Sequence, residues 1–162
     1  MVTAPMAEAD LDAVLAVQAA CYPAAMREAA DVVRARLRAS PCTVLVARDA
    51  DGVCGYLFAY PSRLGKVTPL GGDFALPPDP DTLYLHDLAV APRAAGRGVA
   101  RRLVDAMLAR AGGLRHAALV SVQDSRRFWE GLGYLPAIGD PAALATYPAD
   151  ALYMAQRLSA RG

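Results

Sequence analysis

The residues best suited to chemistry lie in one run, Tyr84-Leu-His-Asp-Leu-Ala-Val-Ala-Pro-Arg-Ala-Ala-Gly-Arg-Gly-Val-Ala-Arg-Arg-Leu103. An apolar segment carrying His86 and Asp87 passes through a proline and narrows to Gly96-Arg97-Gly98. It then opens into an Ala/Leu/Arg-rich segment with helical spacing. A strand, a small-residue turn and a helix N-terminus in succession make a site for an anion. Glycines let backbone approach a ligand closely, and the first N–H groups of a helix have no intrahelical partner. His86 and Asp87 are the candidates for proton transfer beside that turn.

Strand alternation assigns these residues to faces. Tyr84, His86, Leu88 and Val90 share one face; Leu83, Leu85, Asp87 and Ala89 share the other. The strand is expected over about 83–90, and the helix from Arg97 or Gly98 to Ala111, burying Leu103, Val104, Met107 and Leu108. Upstream, the spacing predicts a helix over 8–20 with Asp10 as N-cap. A second helix follows over 27–39 with an Arg-rich outer face. Thr43–Arg48 and Val53–Tyr60 read as an antiparallel pair around the turn signal Asp51-Gly52. The stretch from Pro61 to Thr82 has no periodicity, and a loop of that length is usually functional or mobile. After Gly112-Gly113 come a strand at 117–122 and a short helix at 125–131 with Phe128 and Leu132 inward. A strand at 134–138 and a final strand at 151–158 complete the reading. The order is ααββ-βαβ-αββ, an α/β (α+β) class with a mixed sheet of six to seven strands flanked by helices. The βαβ unit requires a parallel pair at its centre.

Bulk properties narrow the function. The chain has 162 residues, 55% hydrophobic and 20% charged, which predicts one globular domain over 1–162. A formal net charge of +1 argues against a whole-surface electrostatic nucleic-acid binder and leaves room for a local basic patch. No apolar run is long enough to span a membrane, and the first residues lack the basic region of a signal peptide. Cys21, Cys42 and Cys54 are odd in number and lack paired spacing, which predicts small buried thiols in a reducing, cytoplasmic setting. His and Cys are too scattered for a metal site.

Two phosphate motifs do not fit the glycines. A P-loop needs Gly-Lys-Ser/Thr, and Gly98 is followed by Val99-Ala100. A dinucleotide fingerprint needs a small residue where Arg101 stands. The run instead resembles the GCN5-related N-acetyltransferases (the GNAT family), whose signature Gln/Arg-x-x-Gly-x-Gly/Ala follows a Leu-x-Val strand and a proline. Leu88-Ala-Val90, Pro92 and Ala95-Gly96-Arg97-Gly98-Val99-Ala100 match except at Ala95, where Gln or Arg is usual. Phe128-Trp-Glu-Gly-Leu-Gly-Tyr134 resembles the family's later motif, and the ααββ opening is also similar. The resemblance covers nearly the whole chain.

It implies acetyl-CoA as co-substrate, without a metal. Backbone of Ala95, Gly96, Arg97, Gly98, Val99 and Ala100 would bind the pyrophosphate. Leu88, Ala89 and Val90 would pair with the pantetheine arm in the splay between the central parallel strands, with the Leu88 N–H polarising the thioester. Ser125 lies where the family has a further CoA contact. Tyr84-Leu-His-Asp-Leu-Ala-Val90 is similar to the strand of arylalkylamine (serotonin-type) N-acetyltransferases, with His86 at its second His position and Tyr84 replacing the first. The resemblance thus implies N-acetyl transfer to a primary amine, a small molecule being the expected partner, by direct transfer in a ternary complex. His86 is the expected base, with Tyr84 beside it, because a group titrating near neutrality suits an alkylamine. Asp87 is the alternative base or a structural hydrogen bonder. The family's usual acid is a Tyr after the Phe of the later motif, and here Trp129 stands there. Tyr134 reads as a core aromatic. Tyr22, Tyr60 and Phe74, with Asp73, are expected to wall the acceptor site. The same resemblance also admits an acyl-CoA-binding module with little turnover, a protein or peptide acetyltransferase, and a homodimeric assembly.

Overall fold

A computed structural model describes residues 1–159. Among them, seven strands form a sheet in the order β1-β2-β3-β4-β5-β7-β6. They are β1 (Val2–Pro5), β2 (Val44–Asp49), β3 (Gly52–Ser62), β4 (Thr82–Val90), β5 (His116–Ser121), β6 (Leu135–Pro136) and β7 (Leu152–Arg157). The helices are α1 (Leu11–Cys21), α2 (Ala30–Ala39), α3 (Val99–Leu108), α4 (Arg126–Gly131) and α5 (Pro141–Leu144). The chain divides into two compact units. One holds Met1–Ala59 and Asp87–Ala111; the other holds Tyr60–His86 and the described residues from Gly112.

In the first unit, β1 precedes the two helices and pairs antiparallel with β2 from Val2↔Arg48 to Pro5↔Leu45. This strand was absent from the sequence expectation. It is four residues long and ends on Pro5, too short for alternation to register. β2 and β3 form the expected hairpin, with a register shift at Ala47/Arg48. α1 buries Leu11, Val14, Val17 and Gln18, the spacing of one helical stripe. Asp10 does not cap α1 with its side chain. Its carboxylate instead accepts from the Ala7 N–H at 2.8 Å and from Arg48 at 2.6 Å. α2 starts later than expected and buries Val33, Arg36 and Leu37. Arg36 therefore corrects the outward Arg-rich face: its side chain is 2% exposed and pairs with Glu28, 4% exposed, at 2.5 Å. The burial is sustained by that opposite charge. α3 buries Val99, Leu103, Val104 and Met107, close to the expected stripe.

In the second unit, β4 and β5 are the parallel pair, from Thr82↔His116 to Leu85↔Leu119. β7 runs antiparallel to β5 and to the two-residue β6. The long segment after β3 is packed, not loose. Val67, Thr68 and Phe74 are buried. Tyr147 donates to the Thr68 carbonyl at 2.7 Å, and the Gly65 N–H donates to Tyr153 Oη at 2.8 Å. Between β6 and β7 lies α5, opened by Asp140, whose Oδ1 accepts from the Ala142 N–H at 3.1 Å. In α4 the inward residue is Trp129, whereas Phe128 is exposed and Leu132 half-buried. A helix this short offers one inward position, and the larger indole fills it. Cys21, Cys42 and Cys54 are all free, and Cys42 is exposed rather than buried. No described helix is long and apolar enough to cross a membrane.

Candidate acyl-CoA and catalytic site

The glycine turn is built within the first unit. β4 ends at Val90, a 3-10 turn covers Pro92–Ala94, and α3 starts at Val99. Gly96 and Gly98 both have φ of 75°, and a Cβ added at either would meet nothing within 4 Å. Their glycine identity is therefore set by left-handed backbone, not by crowding. Ala95, Gly96, Arg97 and Gly98 are exposed, Ala100 is half-buried and Val99 is buried. The exposed turn leads into the N-terminus of a ten-residue helix, whose first N–H groups and dipole favour an anion. That geometry fits a pyrophosphate without a side chain at Ala95. Gly55 of β3 packs beneath: a Cβ there would lie 3.0 Å from Val99 Cγ1 and 3.1 Å from the Ala89 carbonyl oxygen.

Arg97 is not a free cation. Its Nη1 is 3.2 Å from Asp49 Oδ2, and Arg93 Nη1 is 2.7 Å from the same oxygen. The bond from Arg93, then the nearby charges of Arg93 and Arg97, outweigh burial and hold the Asp49 carboxyl below its usual range. Arg101 and Arg102 are exposed.

The C-terminal half of β4 carries a polar cluster, also within the first unit. Tyr22 Oη donates to Asp87 Oδ1 at 2.9 Å and to the Leu88 carbonyl at 3.0 Å. Tyr56 Oη donates to Asp87 Oδ2 at 2.9 Å. Cys21 Sγ donates to the Val90 carbonyl at 3.1 Å. The carbonyls of Leu88 and Val90 thus take donors from the C-terminal end of α1, Cys21 and its cap residue Tyr22. That of Ala89 turns toward Gly55 instead, as strand alternation requires. Burial and then the Asp87 charge push the Tyr22 and Tyr56 phenols well above their ordinary value, so both keep their protons. Asp87 fits the structural hydrogen-bonding role expected of it. The Tyr22–Asp87–Tyr56 triad was not legible in sequence. Its one signal was a Tyr at a helix end before Pro23, a position that turns the chain toward the sheet.

His86 and Tyr84 lie in the second unit. Tyr84 is 1% exposed, and burial drives its phenol well above the ordinary range. Its ring is 6.2 Å from that of His86. His86 is half-buried and meets Phe74 edge-on, with ring centroids 5.5 Å apart at 76°. Phe74 stacks on Tyr60 at 4.1 Å. Two of the expected acceptor-wall residues, Tyr60 and Phe74, are therefore in contact. Asp73 is exposed, and Tyr22 belongs to the Asp87 cluster.

Ser125 precedes α4 without capping it by its side chain. Its Oγ donates to the Val122 carbonyl at 2.7 Å and sits 3.0 Å from Ser121 Oγ. Gln123 and Asp124 just before it have φ of 52° and 59°, an uncommon conformation for non-glycine residues. Trp129 is 6% exposed and packs edge-on against Tyr134 at 5.4 Å. Tyr134 is fully buried, which pushes its phenol up to about 12.

Comparisons with known proteins bear on the fold and the family. A GNAT-like decarboxylase, GphF, in complex with isobutyryl-CoA superposes with a TM-score of 0.83 at 19% identity, over 98% of this chain and 100% of that one. A GCN5-related N-acetyltransferase from Kribbella flavida gives 0.67 at 25% identity, over 97% of each chain. The ribosomal-protein-S18-alanine N-acetyltransferase from Escherichia coli gives 0.71 at 14%, over 99% and 96%. A search of the curated proteins finds no significant match. The model of the acetyltransferase (GNAT) family matches residues 11–134, which takes in both glycine-rich motifs and everything from α1 to Tyr134, and the chain belongs to that family.

Proposed function

We propose that the protein transfers an acetyl group from acetyl-CoA to a small primary amine, directly, in a ternary complex. The observation that carries this reading is the exposed turn with two left-handed glycines leading into α3. Its backbone from Ala95 to Ala100 would hold the pyrophosphate. Leu88 and Val90 would align the pantetheine arm, and the Leu88 N–H would stabilise the oxyanion formed when the amine attacks the thioester. His86 would accept the amine's proton, with Phe74 and Tyr84 fixing its ring. The three free cysteines suit a reducing compartment, and we place the protein in the cytoplasm.

The test is a screen of polyamines, arylalkylamines, amino acids and peptides with detection of released CoA thiol. Amine-dependent release by a small amine is the expected result; release only with peptides would reassign the acceptor class. A second reading is favoured by Trp129, which cannot give a proton to a departing thiolate: an acyl-CoA-binding module with little transfer. The similar decarboxylase bound to isobutyryl-CoA gives that reading a chemical form, since decarboxylation of an acyl-CoA releases no thiol. Tight CoA binding with no amine-dependent thiol release would favour it.

A further inference from the structure

Acetyl transfer, if the function proposed above holds, needs a proton for the departing sulfur, and neither aromatic of the later motif gives one. Trp129 has no acidic O–H, and the Tyr134 side chain is sealed in the core at 0% exposure. The first unit offers a phenol in a different setting. Tyr22 is fixed at its backbone, where its N–H donates to the Gln18 carbonyl at 2.9 Å and its carbonyl accepts from Arg27 Nε at 2.9 Å. The neighbouring Cys21 thiol is bonded to Val90. The Tyr22 hydroxyl is thereby held 3.0 Å from the Leu88 carbonyl, on the backbone that would align the thioester.

We propose that Tyr22 protonates the departing CoA sulfur and that Asp87 is its positioning residue. The Tyr22 hydroxyl has one proton and two acceptors, Asp87 Oδ1 and the Leu88 carbonyl, at nearly equal distance. A proton shared in this way can swing to a third acceptor at low cost. The Asp87 carboxylate stays partnered when it does, because Tyr56 still donates to Oδ2. As the tetrahedral adduct collapses, the carbon–oxygen double bond reforms and the carbon–sulfur bond breaks. The electron pair of that bond passes to sulfur. The Tyr22 proton moves to the sulfur and gives the free thiol. The nitrogen releases its proton as the amide forms, and the Tyr22 phenolate recovers one through solvent. The sum is amine plus thioester giving amide plus thiol.

The test is Tyr22→Phe assayed with acetyl-CoA and with its selenium analogue, acetyl-seleno-CoA, whose selenolate leaves without needing a proton. We expect kcat with acetyl-CoA to fall about 100-fold and kcat with the selenoester to fall less than about threefold, with CoA binding by calorimetry unchanged. Asp87→Asn should show the same split between donors. A purely structural role for either residue would depress both donors alike. Equal losses with the two donors, or an unchanged kcat with acetyl-CoA, would overturn the proposal. Wild-type protein that releases no CoA with any amine would overturn the proposed function itself, and this inference with it.

Discussion

Asp49 holds Arg97 at 3.2 Å on the same carboxylate oxygen that binds Arg93 at 2.7 Å. Asp49 ends β2, and Arg93 and Arg97 bracket the start of the glycine turn, so one buried carboxylate ties the turn to the β2–β3 hairpin. Asp49→Asn should loosen that tie. We expect the KM for acyl-CoA to rise by about tenfold, while kcat stays the same. Titration of CoA by calorimetry and a two-substrate rate analysis check this. A fall in kcat at constant KM would assign Asp49 a different role.

Gly98→Ala should destabilise the turn without any clash, because the space around Gly98 is open and only its φ of 75° is unsuited to a side chain. Left-handed backbone costs an L-residue roughly 1–2 kcal/mol. For a chain of this size the unfolding midpoint should fall by about 2–8 °C. Gly98→Asn should lose less, since asparagine tolerates this region. Thermal unfolding of the two variants distinguishes backbone strain from steric exclusion, which would penalise asparagine more than alanine.

His86→Gln keeps a polar side chain of similar size beside Phe74 but removes the imidazole. We expect turnover to fall by about 10² to 10⁴ and the rising limb of the pH profile of kcat/KM to disappear. An unchanged profile would remove His86 from the base role.

Asp10 provides a pH-dependent stability element. Burial raises its carboxyl, but the Ala7 N–H and the Arg48 guanidinium outweigh that effect, so the folded state holds it below its ordinary value. A depressed folded-state value contributes stability above the unfolded value of about 4. That contribution disappears as the pH falls through the lower folded value. Asp10→Asn should therefore cost about 1 kcal/mol at pH 7, limited by solvent screening of the partly exposed Arg48. It should cost almost nothing near pH 2. Urea titrations at the two pH values measure the difference.

The parts of the fold legible in sequence were those with long periodic signals. The α3 stripe, the β2–β3 hairpin around Asp51-Gly52, and the strand–turn–helix from Tyr84 to Leu103 appear where alternation and helical spacing placed them. β1 was missed because four residues carry too little periodicity, and it is fixed by pairing with β2. Arg36 was assigned to solvent because charge normally lies outside; only the fold brings Glu28 to it. Phe128 and Trp129 exchanged places because two adjacent aromatics in one helical turn give no way to choose the inward one. The Tyr22–Asp87–Tyr56 triad joins three segments far apart in sequence, and such contacts leave no local pattern to read.

The central claim is amine-dependent acetyl transfer supported by the glycine turn. The most direct measurement is release of CoA thiol from acetyl-CoA by the purified protein, with and without a panel of primary amines. We expect release that requires a small amine, saturates with it, and yields one acetylated amine for each thiol. Saturable binding of acetyl-CoA with no thiol released by any amine would contradict the account.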